Sequence, residues 1–266
     1  MNKTIHTGES RLAAPGAQDA PPIAAGEKPS WDTVFTVPVQ DCGEPLMPLS
    51  LAPERYLVRP AYHAAGIPGA LPECYAREGL RRRLLVAQDL LPVNLRLVIL
   101  DAWRSVKVQT SLFTQCRSAL KHAHPESDDL ELERMTSRFV ALPSLDEQRP
   151  SPHVTGGAVD LALASTEGSP LWFGAAFDYP GEVSATRHFE ERLERGESLE
   201  ARETEALDNR RLLHHVMLEA GFVNYHAEWW HYEYGTQRWA YVKGLDQAKY
   251  SVTQPNLNPF EALARG

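Results

Sequence analysis

The sequence predicts a fold that mixes α-helices and β-strands, because helix-like and strand-like apolar patterns both occur along the chain. Leu80, Leu84 and Ala87 recur at helical spacing, whereas residues 95–101 form a short run of Leu, Val and Ile. A hydrophobic fraction of 43% and a charged fraction of 23% lie close to soluble globular averages. At 266 residues the chain can bury a large core and fits one large domain or two small ones.

The predicted helices are marked by stop and cap residues. Pro92 follows the first helix, Ser105 can cap the second, and Gly221 is a natural C-cap for the last. These helices are expected over residues 76–91, 106–120, 128–140 and 204–220.

Strands are predicted over residues 95–101, 158–164 and 222–234. The first ends at the tetrad Asp101-Ala102-Trp103-Arg104. In the second, Val159, Leu161 and Leu163 face the core, so Asp160 points the other way among small side chains. The third is dense in aromatic residues, which are enriched in strands.

Charge and cysteine content exclude some partners and favour one compartment. A net charge of −8 and a pI near 5.7 provide no basic stripe, so nucleic acid is not an expected partner. No run approaches the ~20 apolar residues of a membrane span, and no signal-peptide core begins the chain. Cys42, Cys74 and Cys116 are odd in number and widely spaced, which favours a reducing compartment and a cytoplasmic protein.

Three parts of the chain are expected. Residues 1–30, rich in Ala, Pro and Gly, predict a flexible leader, and residues 255–266 predict a loose tail. Residues 31–254 form the predicted domain. Within it, the charge-dense segment 187–203 predicts a solvated helix or a mobile insertion.

The decapeptide SPHVTGGAVD, at residues 151–160, places a histidine on a loop and an aspartate on the following strand. His153 and Asp160 can both bind a divalent metal, and a hydrolytic zinc site needs three protein ligands with one position left for water. Gly156 and Gly157 allow a sharp turn close to such a site. A polar loop histidine and a strand-edge aspartate without any metal fit this motif equally well.

The pentapeptide EWWHY, at residues 228–232, adds a carboxylate and an imidazole. Glu228 and His231 are three residues apart, a spacing that would send them to opposite faces of a regular strand. We therefore expect Glu228 at a bend or bulge. This segment alone could also be a buried aromatic strand, but the two motifs together contain the residues for a metal, a water and a base.

The two motifs resemble the metal motifs of the D-alanyl-D-alanine dipeptidases linked to vancomycin resistance, which belong to a larger group of zinc D,D- and L,D-peptidases. The resemblance runs in order from about Tyr56 to Tyr241 and includes Cys74-Tyr75, the tetrad at 101–104 and Phe177-Asp178. It implies an α+β fold, with a mostly antiparallel central sheet and packed helices in a single catalytic domain.

The resemblance also implies the roles of individual residues. His153, Asp160 and His231 would be the ligands of a zinc ion, Zn2+. Glu228 would be the general base and Arg104 would stabilise the oxyanion, a role suited to a permanently charged guanidinium. An ordinary ion pair with Asp101 or another neighbour is the alternative for the arginine.

Substrate contacts are implied for three further residues. Ser151 and Asp178 match positions that hold the free amino group of a dipeptide, and Tyr56 matches a tyrosine of the same pocket. The sequence departs from the family pattern after Phe177-Asp178 and in the longer segment 187–203, so the exact specificity stays open.

The implied activity is zinc-dependent hydrolysis of D-alanyl-D-alanine or a similar short dipeptide, with Glu228 as base. The expected partner is this small substrate, without nucleic acid or membrane, and the oligomeric state stays open. One alternative is a zinc D,D-carboxypeptidase or endopeptidase acting on longer cell-wall peptides, for which an open groove would be evidence. A zinc-binding module without turnover is disfavoured, because a structural zinc site uses four protein ligands and needs neither Glu228 nor Arg104.

Overall fold

The computed structural model describes residues 20–137, 140, 142–144 and 146–257. Within them, helices and strands are mixed along the chain, as the sequence predicts. The α-helices are α1 (Trp31–Val34), α2 (Ala61–Ala64), α3 (Glu78–Leu90), α4 (Val106–Ala123), α5 (Asp129–Thr136), α6 (His188–Glu194), α7 (Ala201–Glu219) and α8 (Gln237–Val242). The strands are β1 (Leu46–Pro48), β2 (Leu57–Val58), β3 (Tyr75–Arg77), β4 (Leu95–Asp101), β5 (Ala158–Ser165), β6 (Val223–Asn224) and β7 (His231–Glu233).

The central sheet has five strands in the order β2-β4-β5-β7-β6. Only the β2–β4 pairing is parallel among these, and the other three are antiparallel. A separate antiparallel pair is formed by β1 and β3. The prediction of an α+β domain with a mostly antiparallel central sheet is confirmed.

The main core lies on the face of the sheet covered by α3 and α7. Val159, Leu161 and Leu163 of β5 point into it, as their alternation predicts, together with Leu84 of α3 and Leu213 of α7. The opposite face of β5 carries Asp160, which leaves this carboxylate free for the site.

Local capping explains why the helix predictions succeeded. The Ser105 side chain accepts a hydrogen bond from the backbone N–H of Val108 at the start of α4. Gly221, with φ of 94°, follows the end of α7 in the left-handed conformation that suits a C-cap. The helix predicted over 128–140 ends at Thr136, and residues 138 and 139 lie outside the described part of the chain.

The prediction of one strand over residues 222–234 is wrong. Two short strands, β6 and β7, are separated there by tight turns. The charge-dense segment 187–203 contains α6 and the first turn of α7, so the prediction of a solvated helix is closer than that of an insertion without structure.

Residues 20–30, the described part of the predicted leader, lie against α6 and α7. Ile23 is buried, and its backbone N–H donates to the Glu190 carboxylate at 2.8 Å. Near the predicted C-terminal boundary of the domain, the Thr253 N–H donates to the carbonyl of Val154 at 3.1 Å. The predicted boundaries at residues 30 and 254 remain predictions. Among the described residues, no helix is long and apolar enough to cross a membrane.

Candidate metal centre

The two sequence motifs meet at the centre of the sheet. His153 lies on a 3₁₀ turn, Pro152–Thr155, and Gly156, with φ of 69°, turns the chain from there into β5. Asp160 of β5 and His231 of β7 are direct cross-strand partners. The pairing of β5 with β7 therefore brings together ligands that are far apart in sequence.

The three side chains are buried and face one another. The Asp160 Oδ1 atom lies 2.9 Å from His231 Nδ1, and Oδ2 lies 3.4 Å from His153 Nε2. His153 Nε2 and His231 Nδ1 are 3.2 Å apart. The other nitrogen of the His153 ring, Nδ1, donates to the carbonyl of Ala102 at 2.6 Å. Each ring thus directs one nitrogen into the cluster and bonds the protein with the other.

These residues fit a zinc ion. Ligands at ~2.0–2.1 Å from a tetrahedral zinc lie about 3.3 Å from one another, close to the separations observed here. As metal ligands, two neutral imidazoles and a carboxylate would direct lone pairs at one another, and a cation between them offsets that repulsion. His153, Asp160 and His231 are accordingly identified as a possible metal-binding group by their ligand atoms, all within 4.8 Å of one another.

The electrostatics of the cluster also favour a positive charge. Burial would raise the pKa of Asp160, but the imidazoles of His153 and His231 hold it well below its usual range. Burial would lower the pKa of His231, yet hydrogen bonds with Asp160 and Glu233 raise it to about 10. A cation among these groups is therefore stabilised.

Glu228 lies beside the cluster but outside it. The turn between β6 and β7 places its Oε2 atom 3.8 Å from His231 Nδ1, which agrees with the predicted bend at this residue. Burial raises the pKa of Glu228 to about 7. A carboxyl group with such a pKa can both accept and return a proton near neutral pH.

Arg104 follows the end of β4 and points into the same pocket. Its Nε atom is 3.2 Å from Asp101 Oδ2, and its Nη2 atom is 3.8 Å from Asp160 Oδ2. Arg104 thus lies in the pocket, as predicted, and also forms the ion pair with Asp101 that was the alternative. The guanidinium also donates to the hydroxyl of Tyr62 at 3.2 Å.

Ser151 and Asp178 line the pocket, as expected for substrate contacts. Asp178 has a φ of 62°, an uncommon left-handed conformation for a residue with a side chain. Burial raises the pKa of its carboxyl group to about 6, although a hydrogen bond from Tyr62 opposes the rise.

The prediction for Tyr56 needs correction. Tyr56 is only 1% exposed and packs in the hydrophobic core, outside the pocket. Tyr62 on α2 lines the pocket instead and links Arg104 to Asp178 by hydrogen bonds. Tyr56 directly precedes β2 and Tyr62 lies in the short helix α2, and the sequence carries no signal that distinguishes them.

Sequence reasoning missed other residues around the pocket. Trp31 and Tyr225 form part of its wall, and Glu233 accepts a hydrogen bond from the His231 ring at 3.1 Å. The only available signal was the spacing of Glu233, two residues after His231 and hence on the same face of a strand.

A possible three-residue metal site with an adjacent carboxylate, on an α+β scaffold, is typical of the class of metal-dependent hydrolases. The sequence model of the D-ala-D-ala dipeptidase family, Peptidase_M15, matches residues 72–253. The chain belongs to this family of zinc metallopeptidases.

Two curated relatives agree with this assignment. A D-alanyl-D-alanine dipeptidase of Synechocystis sp. is 30% identical over 230 residues, which are 80% of this chain and 92% of the relative. A D-alanyl-D-alanine dipeptidase of Escherichia coli is 31% identical over 140 residues, 53% of this chain and 55% of the relative.

A more distant likeness is to the crystal structure of a mutant of the vancomycin-resistance D,D-pentapeptidase VanY in complex with Zn(II). The TM-score is 0.39 and the sequence identity 14%, over 81% of this chain and 96% of that one.

Proposed function

We propose that the chain hydrolyses D-alanyl-D-alanine or a similar short dipeptide, with His153, Asp160 and His231 as the zinc ligands. The observation that carries this proposal is the position of Glu228, whose carboxylate lies 3.8 Å from a ligand ring within the pocket. A purely structural zinc site has no use for such a group. The names of the two curated relatives support the dipeptide and its D configuration.

The residues of the pocket divide the reaction among them. When bound, zinc acidifies a water molecule and polarises the scissile carbonyl. Glu228 takes the proton from the attacking water and passes it to the leaving amine. Arg104 donates to the oxygen on which negative charge develops. The Asp178 carboxylate binds the free ammonium of the substrate, and Ser151 lines the same pocket.

The first test separates the base from the ligands. Glu228→Gln should keep zinc and thermal stability but lose ~10²–10⁴-fold in kcat, the contribution of a general base. His231→Ala should lose zinc and activity together, and Glu182→Gln, in a groove beside the pocket, should change neither. Turnover within a few-fold of wild type in Glu228→Gln, with zinc present, would refute the mechanism. Loss of zinc from that variant would make Glu228 a ligand.

One feature favours a second candidate, hydrolysis of longer cell-wall peptides. An open, mostly apolar groove runs between α4 and residues 179–185, and it shares Asp178, Glu228 and Trp230 with the pocket. A peptide longer than two residues could extend along this groove. The ammonium-binding position of Asp178 favours the dipeptide, since an acylated nitrogen carries no charge to pair with it.

Substrate length distinguishes the two candidates. We expect kcat/KM for D-alanyl-D-alanine to exceed that for an N-acylated D-Ala-D-Ala peptide clearly, because the longer peptide has no ammonium to pair with the Asp178 carboxylate. Comparable values for both substrates would establish the carboxypeptidase or endopeptidase alternative.

A further inference from the structure

Glu233 is a fully buried carboxylate next to the proposed metal site. It lies on β7 two residues after His231, so both side chains project from the same face of the strand. Its Oε1 atom accepts from His231 Nε2 at 3.1 Å and from Arg238 Nε at 3.0 Å. Its Oε2 atom accepts from the Thr236 hydroxyl at 2.5 Å.

These hydrogen bonds determine how the His231 ring is held. A carboxylate only accepts hydrogen bonds, so the nitrogen that faces Glu233 carries a hydrogen. The opposite nitrogen, Nδ1, faces the cluster, with His153 Nε2 at 3.2 Å and Asp160 Oδ1 at 2.9 Å, so a metal ion bound there would take the place of the hydrogen on Nδ1. Glu233 and Asp160 thus bind the two ends of one ring and leave it a single orientation.

Glu233 is itself held firmly. Arg238 is 2% exposed, and its guanidinium stacks on the rings of Trp31 at 4.1 Å and Tyr225 at 4.4 Å. Both aromatic residues form part of the pocket wall. A buried ion pair adds little to stability compared with apolar residues of the same size, so the contact of Glu233 with His231 points to an effect on that ligand.

We infer that Glu233 is a positioning residue of the zinc site, fixing His231 so that Nδ1 is presented to the metal. The inference rests on the proposed ligand set and adds one residue to it. Hydrogen-bond partners of this kind raise the basicity of a ligating imidazole and maintain its orientation, and their loss typically costs 10–100-fold in metal affinity.

Zinc affinity of the purified chain, measured by competition with a chromogenic chelator, tests the inference. Glu233→Ala should bind zinc about 10–100-fold more weakly than wild type. Glu233→Gln retains an acceptor oxygen for His231 and should recover most of that loss. The matched control is Glu190→Ala, which removes another buried carboxylate, paired with Arg211 at 2.7 Å and distant from the pocket. It should lower the melting temperature and leave zinc affinity unchanged.

A second measurement does not depend on the folding of any variant. In wild-type protein loaded with zinc and labelled with 15N at histidine, the His231 ring should show a protonated Nε2 and a metal-bound Nδ1. The reverse pattern would overturn the inference, as would wild-type affinity in Glu233→Ala. If His231 is not a zinc ligand at all, His231→Ala would keep its zinc. That result distinguishes failure of the proposed ligand set from failure of the inference about Glu233.

Discussion

At the scale of single residues, the pocket holds carboxylates with different proton affinities. Asp160 contacts two imidazoles and keeps its pKa well below the usual range, whereas burial raises the pKa of Glu228 to about 7. The distances explain the difference, because His231 Nδ1 is 2.9 Å from Asp160 and 3.8 Å from Glu228. Because the two pKa values are far apart, Asp160 can remain charged, as a metal ligand must be, while Glu228 exchanges protons.

Asp178 provides a pH-dependent prediction. Burial raises the pKa of its carboxyl group to about 6. The carboxylate that we propose to bind the substrate ammonium therefore forms as the pH rises through that value. KM for a free-amine dipeptide should therefore fall as the pH rises from 5 to about 7. A bound dication favours the carboxylate and would move the midpoint to lower pH.

The variant Asp178→Asn should raise KM for the free-amine dipeptide at least tenfold, since it removes a charge-assisted hydrogen bond, and abolish this pH dependence. The exposed Asp246→Asn serves as the control and should behave as wild type. Steady-state kinetics across this pH range provide the measurement. An unchanged KM in Asp178→Asn would show that the ammonium binds elsewhere.

Residue identity was predictable where the chemistry restricts the choice. Two imidazoles, an aspartate and a nearby glutamate are an unusual combination, so His153, Asp160, His231 and Glu228 could be named from the sequence and do lie together. Tyrosine is not restricted in this way. Tyr56 packs in the main core, whereas Tyr62 packs against Val108 and Leu112 of α4, and the sequence around each tyrosine does not show these contacts.

At the scale of elements, the site depends on the β5–β7 ladder. Gly157 lies just before β5, and its carbonyl accepts from the N–H of Tyr234, which follows β7. A Cβ atom at Gly157 would lie only 2.8 Å from both the Tyr234 carbonyl oxygen and the Thr236 side chain. The close approach of these backbones fixes the register that pairs Asp160 with His231.

Gly157→Ala is therefore expected to destabilise the fold by ~1–3 kcal/mol, the usual cost of overpacking, and to weaken zinc binding. The control is Gly26→Ala, where a Cβ meets no atom within 4 Å, and this variant should be at least as stable as wild type. Chemical denaturation and chelator competition measure the two effects. Wild-type stability and zinc affinity in Gly157→Ala would contradict this account of the ladder.

Elements were predictable where their ends are encoded locally. Ser105 and Gly221 mark helix ends through their own backbone bonding, and β4 was predicted at its observed bounds. The turn between β6 and β7 was not, because aromatic density continues through it and no proline or glycine interrupts residues 222–234. The turn is held by distant contacts instead, such as Trp229 N–H to the carbonyl of Ser184 at 2.9 Å.

At the scale of the whole molecule, residues 20–30, which precede α1, are bound to the surface of the domain. Besides the hydrogen bond from Ile23 to Glu190, the Arg187 side chain donates to the Ile23 carbonyl at 2.9 Å. His215 of α7 lies 2.8 Å from the carbonyl of Pro21. Composition alone suggested a flexible leader, because such contacts between distant parts of the chain leave no local pattern.

Removal of residues 1–30 should therefore lower stability. The lost burial of Ile23, which is 3% exposed, corresponds to ~1.5–3 kcal/mol for a fully buried side chain, and Ile23→Ala in the full chain should reproduce much of it. Leu51→Ala, at a position 61% exposed, is the control.

Glu190 adds a pH dependence to this prediction. Burial would raise its pKa, but hydrogen bonds from Arg211 and the Ile23 N–H hold it below the ordinary 4.5. A lowered folded-state pKa stabilises the protein above the unfolded value and less as the pH falls below it. The stability difference between the full and truncated chains should thus be largest near neutral pH and narrow below about 4.5. Equal unfolding free energies for full chain, truncation and Ile23→Ala at pH 7 would show that residues 20–30 do not hold this position in solution.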